Sequence, residues 1–458
     1  MSSFWNISDT SATAIVKQDG TSLTYSQLYS AADCFAEKLA ERSLLLIQAA
    51  NNLESVISYI ACLRNNHVAM LVSRDMSSGM LETLKEIYTP DYVYAPNQNG
   101  SYELNETPHH KTQQKSELHP ELAVLLSTSG STGSPKLVRL TRNNLAANAA
   151  DIAEYLRLSN TERAITNLPL YYSYGLSIIN SHLLVGATLL LTEDSLISPS
   201  FWNFYDEYEA TSLAGVPYTY EMLELVGFRN RVHPHLRYMT QAGGHMPEKL
   251  VKIYAQWALE KGILFYVMYG QTEATARMSY LPPGEALLHP DSIGVAIPNG
   301  KLYIVDENNR RINKPGSVGE LVYNGNNVCM GYAETRADLA KEDENNGILK
   351  TGDLAKFDSN GLFYITGRLK RFLKIAGNRF GLDELESQFN KAGIFAVCGG
   401  TDGKLLVAVT SANDVQPAAD FLKNTWHLMK KQYRVIHAPK IPRTESGKIL
   451  YAELFQTF

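Results

Sequence analysis

The sequence predicts an α/β protein with a large N-terminal body of doubly wound, mostly parallel sheets, a small β subdomain and a small α+β C-terminal domain. Three observations lead to this prediction. Apolar runs alternate with amphipathic segments up to about residue 290, short strands with turn signals follow, and the chain becomes basic after Gly367. Regular alternation of strands and helices is typical of parallel sheets whose strands are joined by helical crossovers.

The elements of the body follow from apolar spacing. A helix is predicted over 21–40, a buried strand over 44–50, a helix after it and a strand over 68–72. Residues 97–120 contain almost no apolar side chains, so they are predicted to form a surface loop. The alternation then resumes with the strand 122–127, the helix 141–156, the strand 187–192, the helix 201–208, strands near 213–216 and 237–241, the helix 247–261 and the strand 263–270.

A domain boundary is predicted near residue 369. Residues 370–458 contain 13 Lys and Arg against 8 Asp and Glu, whereas residues 1–369 contain 29 against 39. This predicts an anionic domain over 1–369 and a cationic domain over 370–458, the latter with a helix over 382–392, strands over 394–399 and 404–410, and a helix over 415–431. Two interpretations of this charge contrast stay open. One is chance variation of surface charge, and the other is a cap domain that brings cations to an anionic substrate.

Composition excludes several classes of protein. The chain has 458 residues, of which 19% are charged and 10% aromatic, with a formal charge of −5, as in ordinary globular proteins and unlike disordered ones. No apolar run reaches about 18 residues, and the N-terminus lacks the pattern of a secretory signal, so a cytoplasmic protein without a membrane span or nucleic-acid partner is expected. The four cysteines have no Cys-x-x-Cys spacing and are predicted to be core thiols.

The most informative segment is a run of small residues after the apolar strand that ends near residue 127. The run is closed by Pro135 and Lys136, and a helix is predicted to start near Thr141. Backbone N–H groups and hydroxyls in such a loop can surround an oxyanion while a lysine adds positive charge. A flexible linker is the alternative. The residues of the run are Thr128, Ser129, Gly130, Ser131, Thr132, Gly133 and Ser134.

This loop resembles the phosphate loop of the adenylate-forming superfamily, the AMP-binding enzymes that include acyl-CoA synthetases, peptide-synthetase adenylation domains and luciferases. Further segments that resemble the family's motifs follow in the family's order. They are Leu23-Thr24-Tyr25, Gly243-Gly244, Tyr269-Gly270-Gln271-Thr272-Glu273, Lys350-Thr351-Gly352-Asp353, Gly367-Arg368, Gly377-Asn378-Arg379 and Pro442–Ile449. The resemblance covers nearly the whole chain.

The resemblance implies a role for each motif. The loop and Lys136 would hold the β- and γ-phosphates of ATP, Gly243 and Gly244 would lie beside adenine, and the segment Tyr269, Gly270, Gln271 would complete the nucleotide site. Thr272 would bind the α-phosphate and Glu273 would hold Mg²⁺. Asp353 and Arg368 would contact the ribose, although a turn aspartate and a solvated glutamate are the alternatives for Asp353 and Glu273. Lys448 would act in the chemical step, carried by a mobile C-terminal domain that turns about Lys370.

The acid and the thiol acceptor stay open. By resemblance the acyl pocket would include Tyr172, Ser173 and Gly175, and Ser173 stands where activators of α-amino acids usually have Asp, which disfavours such a substrate. Ordinary aromatic packing is the alternative for the tyrosines of this segment. The loop of Gly377, Asn378 and Arg379 would receive the thiol of coenzyme A or of a carrier protein's phosphopantetheine.

The leading hypothesis is therefore an ATP-dependent carboxylic acid–thiol ligase with ATP, Mg²⁺ and coenzyme A or phosphopantetheine, acting on a small carboxylic acid. One alternative is a free-standing enzyme that activates amino or aryl acids and loads a separate acyl carrier protein. The other is a non-catalytic nucleotide-binding protein of the same fold.

Overall fold

The structure is a computed structural model that describes residues 3–7, 10–108, 117–127, 136–369, 371–375, 378–443 and 449–456. The chain divides into two compact units. The first contains Met1–Pro290, Val295–Lys301 and Tyr323–Leu349, and the second contains Asp291–Gly294, Leu302–Val322 and Lys350–Phe458. The domain boundary predicted between residues 369 and 370 stays a prediction.

The helices are α1 (Tyr25–Ala36), α2 (Leu53–Arg64), α3 (Ser78–Tyr88), α4 (Arg142–Tyr155), α5 (Ser173–Leu184), α6 (Pro199–Glu207), α7 (Pro217–Leu225), α8 (Glu248–Lys261), α9 (Leu382–Lys391), α10 (Val415–Asn424) and α11 (Tyr451–Gln456). Local sequence explains several starts. Thr24 and Thr141 each cap a helix in a capping box, in which the cap hydroxyl and the side chain three residues later satisfy backbone N–H groups. No helix within the described ranges combines the length and apolar character needed to cross a bilayer.

The strands of the first part of the chain are β1 (Thr13–Lys17), β2 (Ser22–Thr24), β3 (Leu44–Ala49), β4 (Val68–Ser73), β5 (Tyr92–Pro96), β6 (Tyr102–Glu106), β7 (Leu122–Ser127), β8 (Leu137–Thr141), β9 (Arg163–Ile165), β10 (Thr188–Leu191), β11 (Ser212–Gly215), β12 (Tyr238–Gln241), β13 (Leu264–Tyr269), β14 (Ser279–Leu281) and β15 (Val295–Ala296). The later strands are β16 (Lys301–Val305), β17 (Arg311–Ile312), β18 (Gly319–Asn324), β19 (Tyr332–Ala333), β20 (Ile348–Phe357), β21 (Phe363–Arg368), β22 (Phe372–Ile375), β23 (Asn378–Gly381), β24 (Ala396–Thr401), β25 (Lys404–Val409) and β26 (Tyr433–His437).

Two large sheets carry the first unit. Among the described residues, one has the order β15-β14-β13-β12-β11-β9-β10-β1-β2 and the other the order β19-β8-β7-β4-β3-β5-β6. Their central strands pair in parallel, and β3, β4 and β7 are almost wholly buried. Continuous apolar strands of this kind are characteristic of parallel sheets covered on both faces, so the predicted α/β class with mostly parallel sheets is confirmed.

The second unit contains most of a sheet of order β17-β16-β18-β20-β21, which is the predicted small β subdomain, and an α+β region with a sheet of order β24-β25-β26. The apolar core of that region includes Leu385, Phe389, Val407 and Leu422. Arg371 donates hydrogen bonds to Glu386 at 2.6 Å and to the carbonyl of Cys398 at 3.0 Å, and its guanidinium lies 4.0 Å from the ring centroid of Tyr451. Tyr451 thus helps to cover a partly buried cation.

Three local predictions are wrong, and one strand was not predicted. The polar segment 97–120 contains the edge strand β6, whose half-exposed face gives it a polar sequence. The strand β8 was not predicted, but it precedes α4, whose start at Arg142 agrees with the predicted start near Thr141. Helix α10 ends at Asn424, whereas the prediction extended it to residue 431. Cys34 is exposed, although the other cysteines are buried as predicted.

A buried carboxylate on α4 leads to a testable prediction. Asp151 is 5% exposed, and its Oδ1 accepts a hydrogen bond from Asn299 Nδ2 at 2.8 Å. Burial raises the pKa of Asp151 from 3.8 to about 6. Because the folded pKa is higher than the unfolded one, this group destabilises the fold progressively as the pH rises from about 4 to about 6, and the full penalty persists above that range.

Asp151→Asn removes the penalty and keeps an oxygen acceptor for Asn299. We expect a rise in the free energy of unfolding on the order of 1–3 kcal/mol at pH 8, from about 1.4 kcal/mol per pKa unit, and little change at pH 4. Urea unfolding at both pH values measures the difference. An equal effect at pH 4 and pH 8 would exclude titration of Asp151 as its cause.

Candidate active site

The segment 270–278 forms a tight connection between β13 and β14. A short 3-10 turn spans Thr272–Ala274, and the next two residues, Thr275 and Ala276, have φ values of 56° and 105°. A β-carbon added at Gly270 would overlap the carbonyl oxygen of Ala276, so the connection can close only around a glycine. This geometry places Thr272 and Glu273 directly beyond the end of β13, the edge at which parallel strands usually present ligand-binding residues.

A buried asparagine holds this connection in place. Asn327, which is 1% exposed, donates through Nδ2 to the carbonyl oxygens of Ala274 and Arg277, both at 2.8 Å. The main-chain carbonyl oxygen of Asn327 accepts a hydrogen bond from Thr275 Oγ1 at 2.6 Å. The side chain thus satisfies backbone groups that the positive φ values leave outside the strand ladder. Sequence reasoning missed Asn327, because its partners lie about 50 residues away.

Thr272 lies against the predicted acyl pocket. Its Oγ1 is 3.2 Å from Oγ of Ser173, and both side chains are buried. Ser173 is the first residue of α5, and Tyr172 and Gly175 flank it there. The structure therefore brings together the threonine assigned to the α-phosphate and the segment assigned to the acid.

Glu273 belongs to a cluster with Tyr332 and Lys136. Tyr332 donates a hydrogen bond to Glu273 Oε1 at 2.6 Å. The ammonium of Lys136 lies 3.7 Å from the centroid of the Tyr332 ring and 3.4 Å from Oε1 of Glu334. Burial, together with the nearby Glu273 charge, raises the pKa of Tyr332, so the phenol stays a neutral donor. A carboxylate and a lysine at such short range from one phenol suit a site for phosphate oxygens and a divalent cation.

A buried arginine anchors the segment that carries Tyr332. The side chain of Arg139 is completely buried, and it donates to the carbonyl oxygen of Met330 at 3.0 Å and to Oε2 of Glu344 at 2.8 Å. Strand β19 pairs with β8, which places Tyr332 opposite Val138. Sequence reasoning missed Arg139 too, since its partners lie about 200 positions later in the chain.

The predicted glycine pair lies next to the acyl segment. Gly243 has a φ of 82°, and an added β-carbon would overlap the hydroxyl of Tyr172. The carbonyl oxygen of Gly244 accepts a hydrogen bond from Gln241 Nε2 at 2.8 Å. Burial raises the pKa of Tyr172, so its ring is a neutral wall of the site. In the same unit, Gln271 Nε2 donates to the hydroxyl of Tyr269 at 3.3 Å.

The predicted ribose residues form a pair in the second unit. Asp353 on β20 lies opposite Arg368 on β21, and Nε of Arg368 is 3.1 Å from Oδ1 of Asp353. The Asp353 side chain is 3% exposed, whereas the Arg368 side chain is 66% exposed. Asp353 is therefore a strand residue and not a turn residue, and its assignment to the ribose stays a prediction.

Several predicted site residues lie outside the described residues. They are Thr128, Ser129, Gly130, Ser131, Thr132, Gly133, Lys370, Gly377 and Lys448. Asn378 and Arg379 are described through their backbone, which pairs with Ile375 and Lys374 in the hairpin of β22 and β23. Among the described residues, no group of three or more His, Cys, Asp and Glu side chains forms a ready-made metal site.

The chain is similar to known ligases. It is 27% identical over 364 residues to an oxalate–CoA ligase of Saccharomyces cerevisiae, covering 74% of this chain and 63% of that protein. It is 25% identical over 470 residues to a 2-succinylbenzoate–CoA ligase of Bacillus subtilis, covering 96% and 94%. The chain thus spans less than two thirds of the length of the oxalate–CoA ligase.

The fold matches that of solved enzymes. An o-succinylbenzoate CoA synthetase from Bacillus subtilis, in complex with its acyl-adenylate intermediate, superposes with a TM-score of 0.77 at 21% identity, over 97% of this chain and 95% of that one. The model of one family, described as "AMP-binding enzyme", matches residues 6–333. With most of its length matched and the family's motifs in order, this chain belongs to the AMP-binding enzyme family.

Proposed function

We propose that this protein is an ATP-dependent carboxylic acid–thiol ligase. The observation that carries the proposal is the contact of Thr272 with Ser173, which joins the residue assigned to the α-phosphate to the segment assigned to the acid. Membership of the AMP-binding family and the similarity to CoA ligases support the same activity.

The proposed reaction has two steps. An oxygen of the substrate carboxylate attacks the α-phosphorus of ATP, the bond from that phosphorus to the bridging oxygen breaks, and pyrophosphate leaves with the electron pair. The sulfur of a thiol then bonds to the acyl carbon, AMP leaves, and the thiol proton passes to solvent. Both reactants of the first step are anions, so the site must supply cations and hydrogen-bond donors.

Each assigned residue has a role in this proposal. Thr272 donates to the α-phosphate, the loop 128–133 and Lys136 hold the outer phosphates, and Asp353 and Arg368 bind the ribose. Lys448 neutralises the charge that develops between the acyl oxygen and the α-phosphate. The carboxylate oxygens of Glu273 fit Mg²⁺, which prefers oxygen ligands and commonly binds through one or two carboxylates together with substrate phosphates.

The C-terminal part would bring the remaining groups into the site. We propose that residues 370–458 move as a domain about Lys370, first carrying Lys448 to the reactants and then presenting Gly377, Asn378 and Arg379 to the thiol. Coenzyme A and carrier-protein phosphopantetheine offer the same thiol. Coenzyme A is favoured by the names of the similar ligases, while a carrier-protein partner and a cytoplasmic location stay predictions.

Acid-dependent exchange of radiolabelled pyrophosphate into ATP tests the proposal. We expect exchange with at least one member of a panel of aliphatic, aromatic, dicarboxylic and amino acids, and thioester formation when coenzyme A or a phosphopantetheinylated carrier is added. ATP binding without exchange for any acid would favour the non-catalytic nucleotide-binding alternative. Exchange followed by thioester formation on the carrier alone would favour the carrier-loading alternative.

A further inference from the structure

Tyr332 connects the carboxylate assigned to Mg²⁺ with the lysine assigned to the outer phosphates. Its hydroxyl donates to Oε1 of Glu273 at 2.6 Å, and the Lys136 ammonium lies 3.7 Å from the centroid of its ring. One side chain of β19 thus contacts two charged groups that come from distant parts of the chain. The two contacts use different parts of the tyrosine, so the hydroxyl can be removed while the ring is kept.

The segment 329–332 holds Glu273 at two points. The main-chain N–H of Cys329 donates to the carbonyl oxygen of Glu273 at 2.8 Å, and the Tyr332 hydroxyl fixes one oxygen of its side chain. Mg²⁺ demands near-ideal octahedral geometry, so a glutamate ligand with several rotatable bonds must be oriented to bind it well. The hydrogen bond at Oε1 orients the carboxylate and leaves Oε2 to meet the cation. Partners that hydrogen-bond to metal ligands commonly set metal affinity in this way.

The pairing of β8 with β19 brings Lys136 to the same place. Tyr332 lies opposite Val138 in this antiparallel pair, and the same register continued by two positions places Glu334 opposite Lys136. The ammonium rests on the ring and lies 3.4 Å from Oε1 of Glu334. An ammonium has three N–H donors, so contact with the face of a ring leaves donors for phosphate oxygens. A cation bound by Glu273 would therefore lie beside the lysine that is assigned to the same phosphates.

The backbone around Tyr332 is held on both sides. The main-chain N–H of Arg139 donates to the carbonyl oxygen of Gly331 at 3.0 Å, and the hydroxyl of Tyr88 donates to the carbonyl oxygen of Ala333 at 2.6 Å. The side chains of Arg139 and Tyr88 are both fully buried. Because its two neighbours are anchored to the core of the first unit, Tyr332 can act as a fixed point for the more mobile side chain of Glu273.

We propose that Tyr332 is a positioning residue of the nucleotide site, whose hydroxyl orients the Glu273 carboxylate toward Mg²⁺ beside Lys136. This inference rests on the proposed function, which assigns Glu273 to Mg²⁺ and Lys136 to the outer phosphates. In this role Tyr332 acts only through Glu273. Removal of its hydroxyl therefore weakens the binding of ATP together with Mg²⁺, and it leaves the binding of AMP and of metal-free ATP unchanged.

Equilibrium binding of ATP to the full chain, with saturating Mg²⁺ and in EDTA, tests the proposal without any acid. We expect Mg²⁺ to raise the ATP affinity of the wild type, and Tyr332→Phe to reduce this enhancement about tenfold or to abolish it, as is typical when the partner of a metal ligand is lost. In a Glu273→Gln background the same change should have no further effect, because the hydroxyl acts through that carboxylate. Tyr88→Phe is the matched control, since it removes a buried hydroxyl that bonds to the neighbouring residue of β19.

The outcomes separate this inference from the proposed function. A wild-type Mg²⁺ enhancement in Tyr332→Phe overturns the inference, and so does a wild type whose ATP affinity does not respond to Mg²⁺. An equal loss of AMP affinity, or the same loss in Tyr88→Phe, also overturns it, because the hydroxyl would then support the fold as a whole. If no acid supports pyrophosphate exchange while Tyr332→Phe lowers the Mg²⁺ enhancement, the ligase proposal fails and the role of Tyr332 stands.

Discussion

Lys448→Ala is expected to abolish acid-dependent ATP–pyrophosphate exchange while ATP binding is largely retained. Lys448 lies outside the described residues, so the expectation rests on its place after Gly447 in the C-terminal motif and on the charge of the reaction. Two anions meet in the transition state, and a positive group aimed at the developing charge stabilises that state more than it stabilises bound ATP. Loss of one such group typically costs about 10²–10³-fold in rate, or more.

Lys440→Ala provides the matched control for Lys448→Ala. Lys440 is an exposed lysine in the same C-terminal region, eight positions earlier, and its removal changes net charge equally. Exchange kinetics with saturating acid, together with ATP affinity from equilibrium binding, separate a loss of chemistry from a loss of binding. Normal exchange by Lys448→Ala would remove this lysine from the mechanism, and an equal loss in Lys440→Ala would point to general charge effects.

The overall fold could be predicted from the sequence because hydrophobic spacing is a local property. Strands such as Leu44–Ala49 and Val68–Ser73 are apolar runs buried on both faces, and amphipathic helices separate them. The edge strand Tyr102–Glu106 was missed for the opposite reason. One of its faces meets solvent, so its polar residues matched the pattern of a loop.

The candidate site was only partly predictable. Thr272, Glu273 and Gly243 belong to short contiguous motifs, and a glycine pair or a Thr-Glu step can be recognised without the fold. Arg139 and Asn327 belong to no such motif. They act on backbone carbonyls far away in the chain, and only the pairing of β19 with β8 and the turn after β13 bring those carbonyls to them. A hydrogen bond between a buried side chain and a backbone group far away in the chain leaves no signal in the local sequence.

The burial of Arg277 also depends on the fold and has no local sequence signal. An arginine in the sequence is ordinarily a surface residue, and the spacing around 277 gave no reason to treat it otherwise. Its burial follows from the positive φ values at Thr275 and Ala276, which turn the chain back into β14 so that the side chain enters the interior against Tyr174. The conformation of the Thr272–Ala276 connection thus determines both where the assigned phosphate contacts lie and where the buried charge lies.

Gly270→Ala adds only one methyl group, but we expect it to disrupt the site strongly. The added methyl group would overlap the carbonyl oxygen of Ala276, and the two strands that the connection joins are held in register by the pairing of Tyr269 with Ser279. The connection that carries Thr272 and Glu273 must shift to accommodate it. Because displacement of catalytic groups by about 1 Å can cost about 10²-fold, we expect pyrophosphate exchange to fall by about that factor or more.

Gly284→Ala is the control for Gly270→Ala, since a β-carbon at Gly284 would meet no atom within 4 Å. Exchange kinetics and thermal unfolding of both variants decide between two explanations. If the turn geometry positions the reacting groups, Gly270→Ala loses exchange even at temperatures where it is fully folded, and Gly284→Ala resembles the wild type in both measurements. Retention of full exchange by folded Gly270→Ala would mean that Thr272 and Glu273 do not depend on the closure of this turn, and their assigned contacts with the α-phosphate and Mg²⁺ would lose their structural basis.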